Sequence, residues 1–192
     1  MDFKVNKYRV RRQSLFTLFN HYKEMEFIKA TEKDIALIQD LARRSWESAY
    51  AEILSAEQIE YMLTTMYSEK EIRGHLQSPD YHYYLIFNES DHSFKGFLGY
   101  ENRYEQGTTK LHRIYLVPES KGRGIGKQAL DFLKRMVSET QDSRIVLNVN
   151  KENKAMKFYE SQGFTVYKEI VVDIGKGFVM DDYEMEFHIV SK

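Results

Sequence analysis

Residues 113–126 read RIYLVPESKGRGIG and join an apolar strand to a helix through a glycine-rich turn. Glycines alternate at positions 122, 124 and 126, and Lys121, Arg123 and Lys127 stand beside them. Glycine permits positive φ angles and close approach of the backbone, so this turn can direct several N–H groups at one anion. The first turn of the following helix adds a partial positive charge. The pattern therefore favours a pyrophosphate as the ligand.

Two better-known phosphate motifs differ from this turn in spacing. A Walker A loop needs four residues between its glycines and then Lys-Ser/Thr, whereas Gly122 and Gly126 enclose three residues and Lys127 precedes Gln128. A dinucleotide fingerprint needs Gly-x-Gly-x-x-Gly, and the spacing here is Gly-x-Gly-x-Gly. A nucleotide triphosphatase and a hydride-transfer enzyme are thus disfavoured. The glycines alone are equally consistent with a turn that only connects a strand to a helix.

The chain before the turn predicts a short strand ending at Thr31, then helices and an antiparallel meander. Three Ser/Thr residues are each followed three positions later by Asp, Gln or Glu, which is a start signal for a helix: Thr31, Ser55 and Ser68. The apolar strands that follow are separated by turn-prone residues and span 81–88, 95–104 and 110–117.

The chain after the turn alternates between helices and strands. A helix with Leu130, Leu133 and Val137 on one face precedes a buried strand at 144–149 and a second helix at 153–162. This order predicts parallel neighbours in the sheet. A hairpin turn at 175–177 then joins a strand at 164–174 to a final strand whose apolar and polar residues alternate.

Composition limits the classes of protein. The 192 residues suit one domain, which we expect at 26–192 with an N-terminal appendage at 1–25 that contains a short helix at 14–22. The formal charge of −1 provides no net attraction for nucleic acid or a membrane surface. The absence of cysteine excludes thiolate ligands and a cysteine nucleophile. The first 24 residues lack the apolar stretch of a secretory signal, so a cytoplasmic location is expected.

The sequence resembles the GNAT family of N-acetyltransferases. Residues 121–126 are similar to the coenzyme A motif of that family, Arg/Gln-x-x-Gly-x-Gly/Ala, and residues 150–164, NKENKAMKFYESQGF, are similar to its next motif. Lys121 departs from the usual Arg or Gln but keeps a positive charge. The resemblance implies an α+β fold: a mixed, mostly antiparallel sheet of about seven strands flanked by helices, with a parallel, splayed strand pair at the coenzyme A site.

The resemblance also implies which residues bind acetyl-CoA. The backbone of Leu116 and Val117 would pair with the pantetheine arm, Asn153 would contact the coenzyme, and Tyr159 would protonate the departing thiolate. Asn153 is equally consistent with a plain helix cap, and Tyr159 with core packing. The pyrophosphate would lie in the turn formed by Lys121, Gly122, Arg123, Gly124, Ile125, Gly126 and Lys127.

An amine acceptor must lose a proton before it attacks a thioester. Strand alternation places Lys110, His112 and Ile114 on one face, and His112 is the residue among them that titrates near neutrality. We therefore take His112 as the candidate base, with Glu101 on the neighbouring strand as the alternative. A structural role is the more common one for a lone histidine.

The acceptor pocket in this family is usually built from the first helices and the last hairpin. That location nominates aromatic and acidic residues, which suit a cationic amine although core packing or a solvated strand also explains them: Trp46, Tyr50, Tyr61, Asp181, Asp182 and Glu184. The last hairpin and residues 113–115 are similar to bacterial spermidine/spermine N-acetyltransferases.

The predicted activity is direct transfer of an acetyl group from acetyl-CoA to a primary amine, with a polyamine or another small amine as acceptor and without a metal. Alternatives are acetylation of a protein N-terminus or lysine, and a non-catalytic acyl-CoA sensor. The expected partner is a small-molecule amine rather than nucleic acid or a membrane, and a homodimer is compatible with the sequence.

Overall fold

A seven-stranded mixed sheet forms the centre of the molecule, for which a computed structural model describes residues 25–189. The strands in chain order are β1 (Met25–Lys29), β2 (Tyr81–Asn88), β3 (Ser93–Glu105), β4 (Thr108–Leu116), β5 (Arg144–Asn150), β6 (Thr165–Gly175) and β7 (Phe178–His188). Their order across the sheet is β1-β2-β3-β4-β5-β7-β6, and only β4 and β5 are parallel among the described neighbours. This arrangement confirms the predicted mixed sheet.

The helices of the described chain are α1 (Ile35–Tyr50), α2 (Ala56–Met66), α3 (Glu69–Gln77), α4 (Ile125–Ser138) and α5 (Ala155–Ser161). The predicted start signals are confirmed, since Ser55 Oγ accepts from Gln58 N at 3.1 Å and Ser68 Oγ accepts from Glu71 N at 3.2 Å. At Thr31 the signal opens a short 3-10 turn that leads into α1. The helix predicted at 14–22 lies outside the described residues. None of the helices within 25–189 is long and apolar enough to cross a membrane.

Hydrophobic cores lie on both faces of the sheet. On one face α1, α2 and α3 cover the first strands, with Ile38, Trp46 and Tyr83 among the residues buried there. On the other face α4 and α5 cover the centre, with Leu130 and Leu147 among the buried residues. The apolar faces of these amphipathic helices thus pack on both sides of the sheet, which forms the middle of three layers.

The parallel pair β4–β5 is bonded at one end only. Its ladder joins residues 108–111 to residues 144–147 and stops there. Beyond that point, residues 112–116 and 148–150 continue as strands without pairing to each other. The predicted splayed pair is therefore confirmed, and it leaves a gap through the centre of the sheet.

A β-bulge in β4 changes which side chains share a face. Gly99 lies opposite Arg113 while Tyr100 lies opposite Leu111, so His112 is an extra residue in the strand. His112 and Arg113 both lie against the ring of Tyr81, at 5.1 Å between ring centroids and 5.9 Å from the guanidinium carbon.

The expectation that Ile114 shares a face with Lys110 and His112 is wrong, because strict alternation does not hold across a bulge. Ile114 packs into the core beneath α4 and α5, as Leu111 does. Arg113 takes the place predicted for Ile114, and no signal in the sequence marks the extra residue.

We predict that Gly96→Ala destabilises the fold by about 2–4 kcal/mol, because its φ is +152° and an added Cβ would lie 2.0 Å from the carbonyl oxygen of Tyr115. Gly74→Ala is the matched control, since nothing lies within 4 Å of a Cβ there. It should stabilise α3 by about 0.5–1 kcal/mol. Urea denaturation measures both changes, and equal midpoints for the two variants would contradict the close approach of β3 and β4.

Candidate active site

The gap between β4 and β5 opens into a cleft of about 210 Å³. Its walls come from elements on both faces of the sheet: Tyr50 at the end of α1, residues 111–116 of β4, Asn148 and Val149 of β5, and Asn153 with Tyr159 at α5. Because the strands do not pair here, backbone groups of the diverging segments remain available to an extended ligand. The cleft can accept a narrow, extended ligand that passes between β4 and β5.

The glycine-rich turn lies at the start of α4, beside this cleft. Gly122 and Gly124 have φ angles of +76° and +71°, and open space surrounds the position of a Cβ at each. The first backbone bond of the helix runs from Gln128 N to Gly124 O at 3.2 Å, so the N–H groups just before Gln128 have no intrahelical partner, whereas Lys121 N and Arg123 N already donate to Pro118 O and Ser120 O at 3.1 and 3.4 Å. Lys121 and Arg123 are exposed. The turn therefore fits an anionic group such as a pyrophosphate.

Gly126 and Ile125 serve packing at the start of the helix. A Cβ at Gly126 would lie 3.2 Å from the ring of Phe158, so its small size lets α4 approach α5. Ile125 is 2% exposed and belongs to the core beneath α4 and α5. Lys127 is exposed and pairs with Asp131 at 2.6 Å. Of the predicted phosphate residues, these three thus support or flank the turn.

Leu116 and Val117 differ in their backbone contacts. Leu116 lines the cleft in the unpaired part of β4. Val117 N donates to Lys95 O at 2.9 Å, so its N–H faces β3. Pairing of these two residues with a pantetheine arm stays a prediction, and it would have to use backbone groups other than the N–H of Val117, because that donor is already used.

Asn153 and Tyr159 both line the cleft from the region of α5. Asn153 Oδ1 accepts from Ala155 N at 2.9 Å, so the helix-start contact occupies the carbonyl and leaves the Nδ2 donors for other partners. Tyr159 packs against Phe158 and Phe164, with ring centroids 5.4 and 5.8 Å away. Burial, followed by the nearby Tyr50, raises the pKa of Tyr159, so its phenol stays protonated.

His112 and Glu101 form a hydrogen-bonded pair at the edge of the cleft. His112 Nε2 lies 2.9 Å from Glu101 Oε2. Burial, and then the positive charges of Lys110 and Arg113, lower the pKa of His112 to about 3. The ring is therefore neutral at physiological pH, with Nε2–H donating to the carboxylate and Nδ1 carrying the lone pair. The assumption that His112 titrates near neutrality is wrong, because burial disfavours its charged form.

Arg113 is a functional candidate that the sequence did not reveal. It is 6% exposed and lines the cleft. Its guanidinium bonds to Tyr81 Oη and, at 3.0 Å, to Met66 O, and it lies over the rings of Tyr67 and Tyr83 at 5.0 and 5.6 Å. No acidic side chain within residues 25–189 pairs with it by a salt bridge. This uncompensated charge acts on the neighbouring histidines.

The aromatic residues nominated for the acceptor pocket have different positions. Tyr50 lines the cleft, and burial raises its pKa to about 12. Trp46 is 1% exposed, and its ring lies 4.5 Å from that of Tyr50 in a tilted arrangement. Its nomination as an acceptor contact is therefore corrected: it supports Tyr50 from the core. Tyr61 Oη donates to Ile174 O at 2.7 Å, which attaches the β6–β7 hairpin to α2.

The acidic residues of β7 face opposite sides of the sheet. Asp182 is 6% exposed, whereas its neighbour Asp181 is exposed and pairs with Lys151 at 2.7 Å. Glu184 shares the face of Asp182 and pairs with Lys168 at 3.4 Å. Alternation along the strand therefore leaves Asp182 as the buried, unpaired carboxylate of this group.

A parallel strand pair that splays beside an anion-binding turn, with protonated phenols in the gap, defines an acyltransferase that uses a coenzyme A thioester. The family model for the acetyltransferase (GNAT) domain matches residues 50–187. The chain therefore belongs to the GNAT family of N-acetyltransferases. It is an N-acetyltransferase, and its acetyl donor is acetyl-CoA.

Relatives and solved structures agree with this assignment. An uncharacterised N-acetyltransferase of Lactobacillus delbrueckii subsp. lactis is 25% identical over 170 residues, which cover 85% of this chain and 94% of the relative. The spermidine N(1)-acetyltransferase of Thermoplasma acidophilum is 27% identical over 145 residues, covering 74% and 89%. The structure of the PaiA N-acetyltransferase of that organism in complex with coenzyme A has a TM-score of 0.72 at 27% identity, covering 85% and 98%.

We predict that Arg113→Met raises the pKa of His112, because it removes a neighbouring positive charge, and that the pKa stays below 6.5 because burial remains. The pKa of His75, which burial and then Arg113 lower to about 4, should rise as well. Arg113→Lys keeps the charge and should keep both values low. NMR titration of the histidine rings measures them, with His82 as the internal control because burial and Lys29 lower its pKa. Unchanged values in Arg113→Met would show that its charge does not reach the histidines.

Proposed function

We propose that residues 26–192 form an acetyltransferase domain that moves the acetyl group of acetyl-CoA directly to a primary amine of a small molecule, with a polyamine as the leading candidate. The observation that carries this proposal is the cleft through the sheet, which gives acetyl-CoA access from one side and leaves the other side lined by polar residues. The relative from Thermoplasma acidophilum, a spermidine N(1)-acetyltransferase, supports the choice of acceptor.

The donor would bind with its pyrophosphate at the turn 121–127 and its pantetheine arm along the unpaired part of β4. The backbone of Leu116 and the side-chain amide of Asn153 offer polar contacts along this path. The positive charges of Lys121 and Arg123 complement the phosphates. The thioester would then lie in the cleft, between Tyr159 on one face of the sheet and Tyr50 on the other.

The chemical step needs no covalent enzyme intermediate. The amine nitrogen forms a bond to the thioester carbon, the carbon–sulfur bond breaks, and the sulfur leaves with the electron pair of that bond. Tyr159 donates a proton to the thiolate, because its buried phenol is still protonated when the sulfur departs. The proton that the tetrahedral intermediate loses from nitrogen restores the phenol. The products are an N-acetyl amine and free coenzyme A.

The pair His112–Glu101 would remove the first proton of the acceptor ammonium. A neutral imidazole with a lowered pKa is a weak base, so His112 alone is poorly matched to an ammonium. Its hydrogen bond to Glu101 supplies a negative charge 2.9 Å away that stabilises the imidazolium when it forms. Glu101 is one-third exposed and can return the proton to solvent.

Release of free coenzyme A from acetyl-CoA in the presence of small primary amines, polyamines and lysine peptides tests the proposal. We expect turnover with small amines. Tyr159→Phe should lower kcat by about 10²- to 10³-fold, since it removes the proton donor, while calorimetry shows nearly unchanged affinity for acetyl-CoA. Turnover with peptides alone would show a protein acetyltransferase. An equal loss of acetyl-CoA binding in Tyr159→Phe would show that Tyr159 acts through packing.

We predict that His112→Ala and Glu101→Gln lower kcat at saturating acetyl-CoA by similar factors of about 10- to 100-fold, because both remove the same proton path. The double variant should be little worse than either single one. The pH–rate profiles of all three, measured from pH 5 to 9, provide the check. Additive losses in the double variant would mean that the two residues do not act as a pair.

A further inference from the structure

Asp182 is a buried carboxylate that the fold does not neutralise. It lies on β7 with Asn150 of β5 as its Cα partner and is 6% exposed. No salt bridge reaches it from the residues that the structure describes, although the other carboxylates on its face of β7, Glu184 and Glu186, pair with Lys168 and Arg144. A buried ionised group without a partner costs free energy, so its presence needs an explanation.

One oxygen of Asp182 also lacks a hydrogen bond. Within residues 25–189, two buried side-chain polar atoms have no partner, and these are Asp182 Oδ1 and Arg113 Nε. The guanidinium of Arg113 is satisfied at its other nitrogens and by tyrosine rings. A side-chain hydrogen bond with Asn150 and the positive charge of Lys110 stabilise Asp182 in part, but its Oδ1 remains an acceptor without a donor.

The surroundings of Asp182 connect it to the cleft. Asn150, Asp181 and Lys110 affect the pKa of Asp182, and Asp182 in turn affects the pKa of Tyr50. Tyr50 lines the cleft, and Lys110 also acts on His112. Burial, and then Asp181, raise the pKa of Asp182 to about 6, which shows that the folded protein resists its ionisation. The carboxylate would gain from a cationic ligand.

The position of Asp182 separates it from the reacting atoms. Neighbouring strands lie about 4.8 Å apart, and β5 stands between β7 and the gap that holds the thioester. A cation on Asp182 would therefore lie about one strand spacing from the edge of the cleft. This distance suits the second amino group of a diamine whose first amino group reacts in the cleft.

We propose that Asp182 binds a second ammonium group of the acceptor and thereby selects amines with at least two positive charges. The proposal rests on the proposed amine acetyltransferase activity and adds a specificity-determining residue to it. The acceptor would then span β5, with its reacting nitrogen near His112 and its distal ammonium against Oδ1 of Asp182. A monoamine would leave the carboxylate unpaired and bind more weakly.

The kinetic test compares 1,4-diaminobutane with 1-aminobutane, which share the alkyl chain and differ in the second charge. The wild-type protein should prefer the diamine, and Asp182→Asn should lower kcat/KM for the diamine by about 10- to 100-fold, mainly through KM, because a charged hydrogen bond is lost. The value for the monoamine should change less than about 3-fold. Glu169→Gln is the matched control, since this exposed carboxylate lies on the opposite face of the hairpin and its loss should leave both values unchanged.

The outcomes distinguish the two proposals. Turnover of neither amine by the wild-type protein would overturn the proposed function, whereas turnover of both with an equal loss in Asp182→Asn would overturn only the role in specificity. An effect of Glu169→Gln as large as that of Asp182→Asn would also overturn the role in specificity, because loss of any negative charge on the hairpin would then explain the result.

Thermal unfolding separates this role from a structural one. The folded-state pKa of Asp182 is raised above the ordinary value of 3.8, so its contribution to stability is greatest below pH 4, is lost between pH 4 and about 6, and stays absent above pH 6. Asp182→Asn removes the charge, so the Tm of this variant at pH 8 should be no lower than that of the wild type and should exceed it by at most about 2–4 °C. A clear fall in Tm at pH 8 would show that the carboxylate stabilises the fold and would overturn the proposal.

Discussion

The interruption of hydrogen bonding between β4 and β5 is the constraint on which the site depends. A continuous parallel ladder would satisfy the backbone groups of both strands and would close the sheet. The ladder instead stops after Leu111 and Leu147, so the strands part and the two cores meet at a gap. Tyr50 from one core and Tyr159 from the other line that gap. The same interruption therefore leaves backbone groups available to an extended ligand and brings together phenols from opposite faces of the sheet.

The bulge at His112 adds a second constraint at the same place. It turns His112 and Arg113 to one face, where a buried guanidinium is held by tyrosine rings and a carbonyl rather than by a carboxylate. Cation–π contacts stabilise such a charge only in part, so it continues to act on its neighbours. Burial of the ring, followed by the positive charges of Lys110 and Arg113, keeps His112 neutral. The strand irregularity thus sets the face on which the candidate base lies, and burial there sets its charge state.

Asp182 shows how the site and the stability of the fold oppose each other. The buried side-chain atoms without a hydrogen-bond partner in the described chain belong to Arg113, which lines the gap, and to Asp182, which lies one strand away from it on β7. Elsewhere the charges on this face of the hairpin are paired, as in the contacts of Glu184 and Glu186. Concentration of unsatisfied groups at one place is typical of a binding site, because a ligand supplies the missing partners and a well-packed core has none to supply.

The sequence by itself determined the helices, the strands and the glycine-rich turn, because these depend on local chemistry. The spacing of glycines 122, 124 and 126, the caps at Ser55 and Ser68, and the apolar periodicity of α4 act through neighbours in the chain, and the structure has each of them as expected. Tertiary structure alone decided the rest. One extra residue at His112 moved Arg113 to the face predicted for Ile114, and burial lowered the pKa of His112 to about 3. The bulge depends on the register with β3, and the pKa depends first on how deeply the packed fold buries the ring, so neither is visible in the order of residues.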